Sequence, residues 1–146
     1  MGVVIFELSR IGKTNYGPGP ISIEVTTDKV FYLQGEEVNF TIYVNNPQDW
    51  PVECPWGVDY AIEKDGLIID GVSVNIDFAP DRIPTFPSHS RTLYGNMWHW
   101  DQNMYVNKTF PRVQVQPGNY TLTVSFYGRV DYGNSGNCTF EIKSKP

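Results

Sequence analysis

The sequence contains few of the residues from which catalytic and metal sites are usually built. Its 146 residues include only two cysteines, Cys54 and Cys138, and two histidines, His89 and His99. No Cys-x-x-Cys or Cys/His spacing occurs, which argues against a structural zinc site. No Ser-His-Asp arrangement, G-x-S-x-G, H-E-x-x-H or phosphate-binding loop is recognisable either. The sequence therefore predicts a protein that is not an enzyme and that uses no cofactor or metal.

Basic charge and long apolar runs are also scarce. Lys and Arg total 11 against 16 Asp and Glu, for a net charge of −5. Without a Lys/Arg cluster the chain has no surface for nucleic acid or anionic lipid. No segment is apolar over enough length to span a bilayer. The opening segment has four consecutive apolar residues, 3–6, too few for a secretory signal, so any export signal is expected outside this numbering or already removed.

Aromatic and β-branched residues are abundant, and they are arranged as short strands. Aromatic residues make up 14% of the chain, which favours half-buried pleated surfaces over helices. Apolar and polar residues alternate, as in strands, over 21–27, 38–46, 72–78 and 118–126. Residues 58–70 predict a hairpin around Asp65-Gly66. Eight or nine such strands, separated by turn signals, predict an all-β antiparallel sandwich over residues 21–146.

Residues 1–20 differ from the rest of the chain. An apolar β-type segment is followed by GKTNYGPGP, whose composition is that of a linker. The segment has the pattern of a donor strand, which pairs with an exposed sheet edge of a neighbouring copy. Head-to-tail donation would build a filament, although the segment could equally be the first strand of its own sandwich. The donor-strand residues are Val3, Val4, Ile5, Phe6, Leu8 and Ile11.

Two features indicate an oxidising compartment outside the cell or at its surface. Cys54 and Cys138 are candidates for a disulfide that ties the last strand to an upstream loop. Four Asn-x-Ser/Thr sequons are candidates for glycosylation. Each feature has an alternative interpretation. The cysteines could be two unrelated buried thiols, and the Asn residues could simply mark turns and strands. The sequon residues are Asn39, Asn107, Asn119 and Asn137.

The stretch LYGNMWHWDQNMY, residues 93–105, concentrates aromatic residues. If it is extended, Tyr94, Trp98 and Trp100 share one face. That face would be a platform for stacking sugar rings if it were exposed. Because large aromatic side chains are buried far more often than displayed, a core strand is the favoured interpretation and a carbohydrate-binding module is an alternative.

Several stretches together resemble a known family. YLQGEEVNFTIYVNN resembles the second strand of prokaryotic Ig-like domains. Three further stretches follow it along the chain: WPVECPWGVDYAIEKDGLII, the Trp-bearing strand near Trp98, and VQPGNYTLTVSF. Taken in this order over about residues 30–127, they resemble the pattern of the BsuPI-type intracellular proteinase inhibitor domain. The resemblance implies an Ig-like sandwich. The residues that fall on framework positions of that pattern are Asn45, Asp59, Tyr60, Gly66, Trp100, Pro117, Gly118 and Tyr120.

The same resemblance implies an alternative function. A cytoplasmic proteinase inhibitor would act through the Pro-rich loop 79–90, with Asp81, Arg82, Ile83 and Pro84 as its contact residues. Proline stiffens such a loop and lowers the entropy lost on docking. The first prediction nevertheless remains an extracellular assembly subunit whose partners are proteins, chiefly copies of itself.

Overall fold

The computed structural model describes residues 2–5, 20–54, 57–73, 83–94, 98–106, 109–126 and 133–146. Within these ranges every regular element is a β-strand. The strands are β1 (Gly2–Ile5), β2 (Ile21–Thr27), β3 (Phe31–Leu33), β4 (Val38–Asn46), β5 (Val52–Glu53), β6 (Val58–Lys64), β7 (Leu67–Ser73), β8 (Thr85–Phe86), β9 (Ser90–Leu93), β10 (Trp98–Trp100), β11 (Asn103–Val106), β12 (Thr109–Gln114), β13 (Gly118–Phe126), β14 (Gly133–Asn134) and β15 (Gly136–Lys143).

Two sheets form the body of the molecule. In the first sheet the strand order is β1-β15-β13-β6-β7, and β3 also pairs with β15, in parallel. In the second sheet the order is β10-β4-β2-β14, and β9 also pairs with β4. Two small two-stranded sheets, β11-β12 and β5-β8, complete the described fold. The all-β sandwich predicted from the sequence is confirmed, with more strands than expected because several have only two or three residues.

The core lies between the two sheets and follows the predicted alternation. Every second residue of β2 and β4 is buried, and the same holds for β13 and β15. This period-two pattern directs one face of each strand inward. The largest fully buried side chains include Trp100, Tyr32, Tyr120, Phe40, Phe86 and Phe126.

Two turns that the sequence predicts lie at one end of the first sheet. Asp65 and Gly66 join β6 to β7 with φ angles of +52° and +80°, as an Asp-Gly hairpin turn requires. At the start of β13 the Tyr120 hydroxyl donates a hydrogen bond to the Gln116 carbonyl, four residues upstream. A buried tyrosine that bonds back to the preceding backbone is the tyrosine corner of Ig-like sandwiches.

The predicted disulfide between Cys54 and Cys138 is wrong. Cys54 follows β5, in a small sheet that does not pair with the strands around β15, and its N–H donates to the Pro84 carbonyl. Cys138 lies within β15. Both side chains are buried, and no S–S bond joins them. Burial raises the pKa of the Cys138 thiol to about 11, so it stays protonated at neutral pH.

Candidate functional site

Strand β1 lies at the edge of the first sheet, antiparallel to β15 of its own chain. Gly2 is the partner of Thr139, and Ile5 is the partner of Gly136. Of the predicted donor-strand residues, Val3, Val4 and Ile5 fall in this strand. Phe6, Leu8 and Ile11 lie outside the described residues, as does most of the predicted linker.

Strand β1 covers about half of one edge of β15, and β3 covers the other half. On one side β15 pairs with β13 along most of its length. On the other side β3 pairs with residues 141–143 and β1 pairs with residues 136–139. Strand β1 therefore fills the part of the β15 edge that β3 leaves open.

The end of β1 lies close to the start of β2. Ile5 is the Cα partner of Gly136, and a Cβ built on Gly136 would lie 2.4 Å from the Ile23 carbonyl oxygen. With strand spacings of about 5 Å and a rise of about 3.3 Å per residue, Ile5 and Ile21 are roughly 17 Å apart at most. About five extended residues cover that distance. The chain has fifteen there, residues 6–20.

A second feature is a cleft beside β7, the strand at the opposite edge of the first sheet from β1. The cleft has a volume of about 330 Å³ and is bordered by β6, β7, β10 and the β11-β12 hairpin. Its lining residues are Glu37, Tyr60, Asp70, Gly71, His99, Trp100, Asp101, Tyr105 and Arg112.

Arg112 organises the polar side of the cleft. Its Nη2 donates to Asp70 Oδ2 at 2.5 Å and to the Asn103 carbonyl at 2.7 Å, and its Nη1 donates to Asp101 Oδ2 at 2.8 Å. The Asp70 side chain is only 7% exposed, and it also accepts from Trp100 Nε1 at 2.7 Å. Arg112 Nε is buried without a hydrogen-bond partner among the described residues. The guanidinium is thus held rigidly between two carboxylates.

The ionisation of the cleft is set by this network. Burial alone would raise the pKa of Asp101, but hydrogen bonds from Asn103 and the charge of Arg112 outweigh it and hold the pKa below its ordinary value. Burial, together with the charge of Asp70, raises the pKa of Tyr60 to about 12. At neutral pH the cleft therefore presents an ionised Asp101 beside a neutral phenol.

The outer part of the cleft is more exposed. His99 Nε2 lies 3.5 Å from Glu37 Oε2, and their side chains are 62% and 60% exposed. The Tyr105 ring is 38% exposed. It lies 5.1 Å from the Arg112 guanidinium and packs edge-on against Phe110.

The predicted sugar platform is not an exposed face. Trp100 is 2% exposed, and Tyr94 and Trp98 pack against the core. The Trp98 ring stacks on Phe40, and its Nε1 donates to the Tyr94 carbonyl at 3.2 Å. Trp98 and Trp100 do share the inward side of β10, and Tyr94, which follows β9, also packs against the core, as the favoured core interpretation expected.

The sequon residues occupy different environments. Asn119 is exposed on β13. Asn39 is half-buried in β4, and its amide is 3.5 Å from Asp28 Oδ2. Asn137 is half-buried in β15, between its partners Val4 and Thr123. Asn107 lies outside the described residues. Glycosylation itself stays a prediction, and Asn119 is the acceptor most open to it.

The predicted inhibitor loop is partly described. Asp81 and Arg82 lie outside the described residues. Ile83 and Pro84 are half-buried, and the Pro84 carbonyl accepts a hydrogen bond from the Cys54 N–H at 3.1 Å. The next two residues form β8, in which Phe86 is buried. The described part of the loop is therefore bound to the body of the domain, and inhibition through residues 79–90 stays a prediction.

Asp70 and Arg112 were not predicted as functional residues. They are 42 residues apart in the sequence, and only the folded topology brings them together. The alternation along β12 did offer one indication. Arg112 and Gln114 alternate with exposed residues and so lie on the inward face of the strand. A charged side chain at such a position usually has a buried partner.

Comparisons with known proteins support the fold. No protein-family model and no curated protein matches the sequence significantly. The CARDB domain of the PF1109 protein from Pyrococcus furiosus matches 86% of this chain and 94% of its own, with 8% identity and a TM-score of 0.50. A β-glucosidase from Listeria innocua matches 89% of this chain but only 17% of its own, with 10% identity and a TM-score of 0.51.

The chain also spans 31% of the alkylpurine DNA glycosylase AlkC from Pseudomonas fluorescens, with 13% identity and a TM-score of 0.49. At these identities the likeness shows the fold alone. Together with the sheet topology, the likeness to the CARDB domain defines the chain as an Ig-like β-sandwich domain. The finer resemblance to BsuPI-type inhibitors gains no support from these comparisons.

Two kinds of feature are absent from the described residues. They contain no helix of the length and hydropathy needed to cross a membrane. They also contain no group of three or more His, Cys, Asp or Glu side chains placed to hold a metal ion.

Proposed function

We propose that this chain is a non-enzymatic structural subunit that self-associates by strand exchange. In the exchanged form, β1 of one copy pairs with the β15 edge of the next copy, at residues 136–139. The observation that carries the proposal is the length of the connection: fifteen residues join two strand ends that about five could join. The excess length gives β1 a reach of about 50 Å when extended, enough to meet a neighbouring molecule.

The acceptor edge suits such an exchange. Strand β1 covers only four residues of β15, and β3 secures the remainder of the edge within the chain. A copy that has given up its β1 therefore keeps most of its sandwich and exposes one short row of backbone N–H and C=O groups. Each copy carries one donor strand and one acceptor edge, which are different surfaces. Such head-to-tail contacts form filaments when they do not close into a ring.

Exchange preserves the pairing that the single chain already has. The same β1-β15 register forms within a chain or between chains, so the two forms differ mainly in the entropy of association. Because residues 6–20 join β1 to its own domain, the effective concentration of β1 near its own β15 is on the order of millimolar. Exchange between copies therefore becomes substantial as the local protein concentration approaches that value, as it does where subunits are crowded together.

The proposed location is outside the cell or at its surface. The exposed sequon residue Asn119 and the net charge of −5 support a solvated surface there. Mass spectrometry of the protein from its native source is the direct check. A glycan at Asn119 is expected, and an unmodified Asn119 throughout would favour the cytoplasmic alternative.

A cysteine opposite Cys138 distinguishes exchange from pairing within one chain. Val3 is the Cα partner of Cys138. Antiparallel partners lie about 4.5–5.5 Å apart, which is inside the range of about 4.4–6.8 Å for disulfides. Under mild oxidation Val3→Cys should give cross-linked monomers in dilute solution and a ladder of covalent oligomers as the concentration nears millimolar.

Two variants control this experiment. Val4→Cys places the thiol opposite Asn137 instead, and Val3→Cys combined with Cys138→Ser removes the acceptor thiol. Neither should give the ladder. Cross-linked monomers at every concentration, or the same ladder from Val4→Cys, would refute strand exchange.

A further inference from the structure

The cleft between β7, β10 and the β11-β12 hairpin is independent of strand exchange. It lies beside β7, and β1 lies at the other edge of the same sheet. Its volume of about 330 Å³ is at the small end of ligand pockets, which run from about 300 to 1,000 Å³. That space suits one or two sugar-sized rings.

The charges of the cleft disfavour an anionic ligand. Arg112 supplies a guanidinium to the lining of the cleft, and it is shared between Asp70 and Asp101. Its positive charge is therefore already compensated, and its terminal nitrogens already donate hydrogen bonds. Glu37 adds a further carboxylate at the rim, so a phosphate or carboxylate ligand would meet repulsion.

The groups left at the surface of the cleft match a neutral polyol. The carboxylates of Asp101 and Glu37 are 46% and 60% exposed and accept hydrogen bonds. The His99 ring can both accept and donate. Hydroxyl groups both donate and accept, so a sugar satisfies such a mixed set without carrying charge.

An aromatic wall completes the arrangement. The Tyr105 ring is partly exposed, and its contacts with the Arg112 guanidinium and the Phe110 ring hold it in place. A fixed aromatic face gives the apolar C–H face of a sugar ring a surface to pack on at little entropic cost. The hydrogen bonds that Trp100 and Arg112 donate to Asp70 hold the floor of the cleft in place in the same way.

We propose that this cleft binds a neutral carbohydrate, with a sugar ring against Tyr105 and its hydroxyls hydrogen-bonded to Asp101, Glu37 and His99. The location differs from the platform that the aromatic sequence cluster predicts, since Tyr94 and Trp98 do not line the cleft. Trp100 belongs to both, but it contributes its indole N–H to the floor and no exposed face.

The test is a titration of the full-length, ¹⁵N-labelled protein, followed by NMR. The probes are cellobiose, lactose, mannobiose and chitobiose at up to about 10 mM, which detects millimolar dissociation constants. At least one is expected to shift the amides of Asp70, Gly71, His99 and Asp101. Tyr105→Ala should weaken that binding about tenfold, and Trp50→Ala, which removes an exposed aromatic ring outside the cleft, should leave it unchanged.

Three results would overturn the proposal. The first is that none of the four disaccharides shifts the cleft amides. The second is that Trp50→Ala weakens binding as much as Tyr105→Ala does. The third is that spermidine, a cationic probe, shifts the cleft amides and the sugars do not, because the carboxylates would then be a site for amines. Strand exchange is measured at Val3 and Cys138 and stands or falls separately.

Discussion

Gln102 shows how one buried amide closes a gap between strands. Its side chain is fully buried, and its Nε2 donates to the carbonyls of Leu33 at 2.8 Å and Glu36 at 2.7 Å. Its Oε1 accepts from Gln114 Nε2 at 2.8 Å. These carbonyls belong to the turn between β3 and β4, so one side chain joins that turn to the β11-β12 hairpin.

Replacing Gln102 by Ala should therefore destabilise the fold strongly. The change leaves the Glu36 carbonyl without this donor, whereas the Leu33 carbonyl still accepts a hydrogen bond from the Glu36 N–H at 3.1 Å. A group that is left buried and unsatisfied costs about 1–3 kcal/mol. We expect a loss of about 1–3 kcal/mol in the free energy of unfolding, measured by urea denaturation. Gln116→Ala, at an exposed position, is the control and should change it by less than about 0.5 kcal/mol.

A similar loss in both variants would contradict this role of Gln102. Nothing in the sequence near Gln102 predicts it. Its partners are 66 and 69 residues away, so only the folded topology shows what the amide does.

The Glu24–Arg91 pair joins elements that do not pair directly. Glu24 on β2 and Arg91 on β9 lie on either side of β4. Arg91 Nη2 donates to Glu24 Oε2 at 2.6 Å and Nε donates to Oε1 at 3.1 Å. The guanidinium lies 3.6 Å from the centre of the Tyr43 ring. The hydrogen bonds from Arg91 hold the pKa of Glu24 below its ordinary value of 4.5 despite partial burial.

This pair should make the stability of the domain sensitive to acid. Because the pKa of Glu24 is lower in the folded state, the unfolded chain binds the proton first as the pH falls. The contribution is complete above about pH 4.5 and is lost as the pH falls through the folded-state pKa. Urea midpoints between pH 7 and pH 3 should therefore fall less steeply for Arg91→Met than for the unchanged protein.

Lys29→Met is the matched control for Arg91→Met. Lys29 pairs with Glu36 at 3.5 Å, but the low pKa of Glu36 is due first to the hydrogen bond from the Leu33 N–H. Removal of Lys29 should leave the acid dependence nearly unchanged. If the urea midpoint falls equally steeply with pH for Arg91→Met and for the unchanged protein, the Glu24–Arg91 pair contributes nothing to the acid dependence of stability.

Gly136 lies at a close approach between β15 and β2. An added Cβ would lie 2.4 Å from the Ile23 carbonyl oxygen and 2.9 Å from its carbon. Both are backbone atoms of a central strand, so they cannot move aside alone. Gly136→Ala should lower the free energy of unfolding by about 1–3 kcal/mol or more, and Thr139→Ala, at an exposed position of the same strand, should have little effect. The measurement is the melting temperature of each variant in a thermal melt. Equal melting temperatures for the two variants would contradict the close approach at Gly136.

Strand alternation could be predicted from sequence because it depends on neighbouring residues. Val38, Phe40, Ile42 and Val44 are all buried, as their parity predicts. The disulfide could not be judged in this way, since it depends on which strands are adjacent. The Asp70–Arg112 contact of the cleft depends on the same long-range topology. Local patterns therefore predicted the elements and their inward faces, and they did not predict the sites formed between elements.

For the assembly of the protein, strand exchange depends on which copy of β15 each β1 occupies. The pairing energy is the same in both forms, so the balance depends on protein concentration relative to the effective concentration of the tether, on the order of millimolar. Other surfaces could also bring copies together: Phe110 is 79% exposed, and Leu67 and Ile68 are about as exposed. A test must separate these apolar contacts from strand exchange.

Deletion of residues 1–12 makes that separation, because it removes β1 and leaves the exposed apolar side chains in place. From about 10 μM to about 1 mM, sedimentation and light scattering should show the full chain forming larger assemblies as its concentration nears that of the tethered strand. Electron microscopy should show these assemblies as filaments. The truncated chain should remain monomeric, and Phe110→Ser in the full chain should assemble normally. If the truncated chain assembles as the full chain does, or if Phe110→Ser abolishes assembly, the contact between copies is an apolar surface and β1 is simply the first strand of its own sandwich.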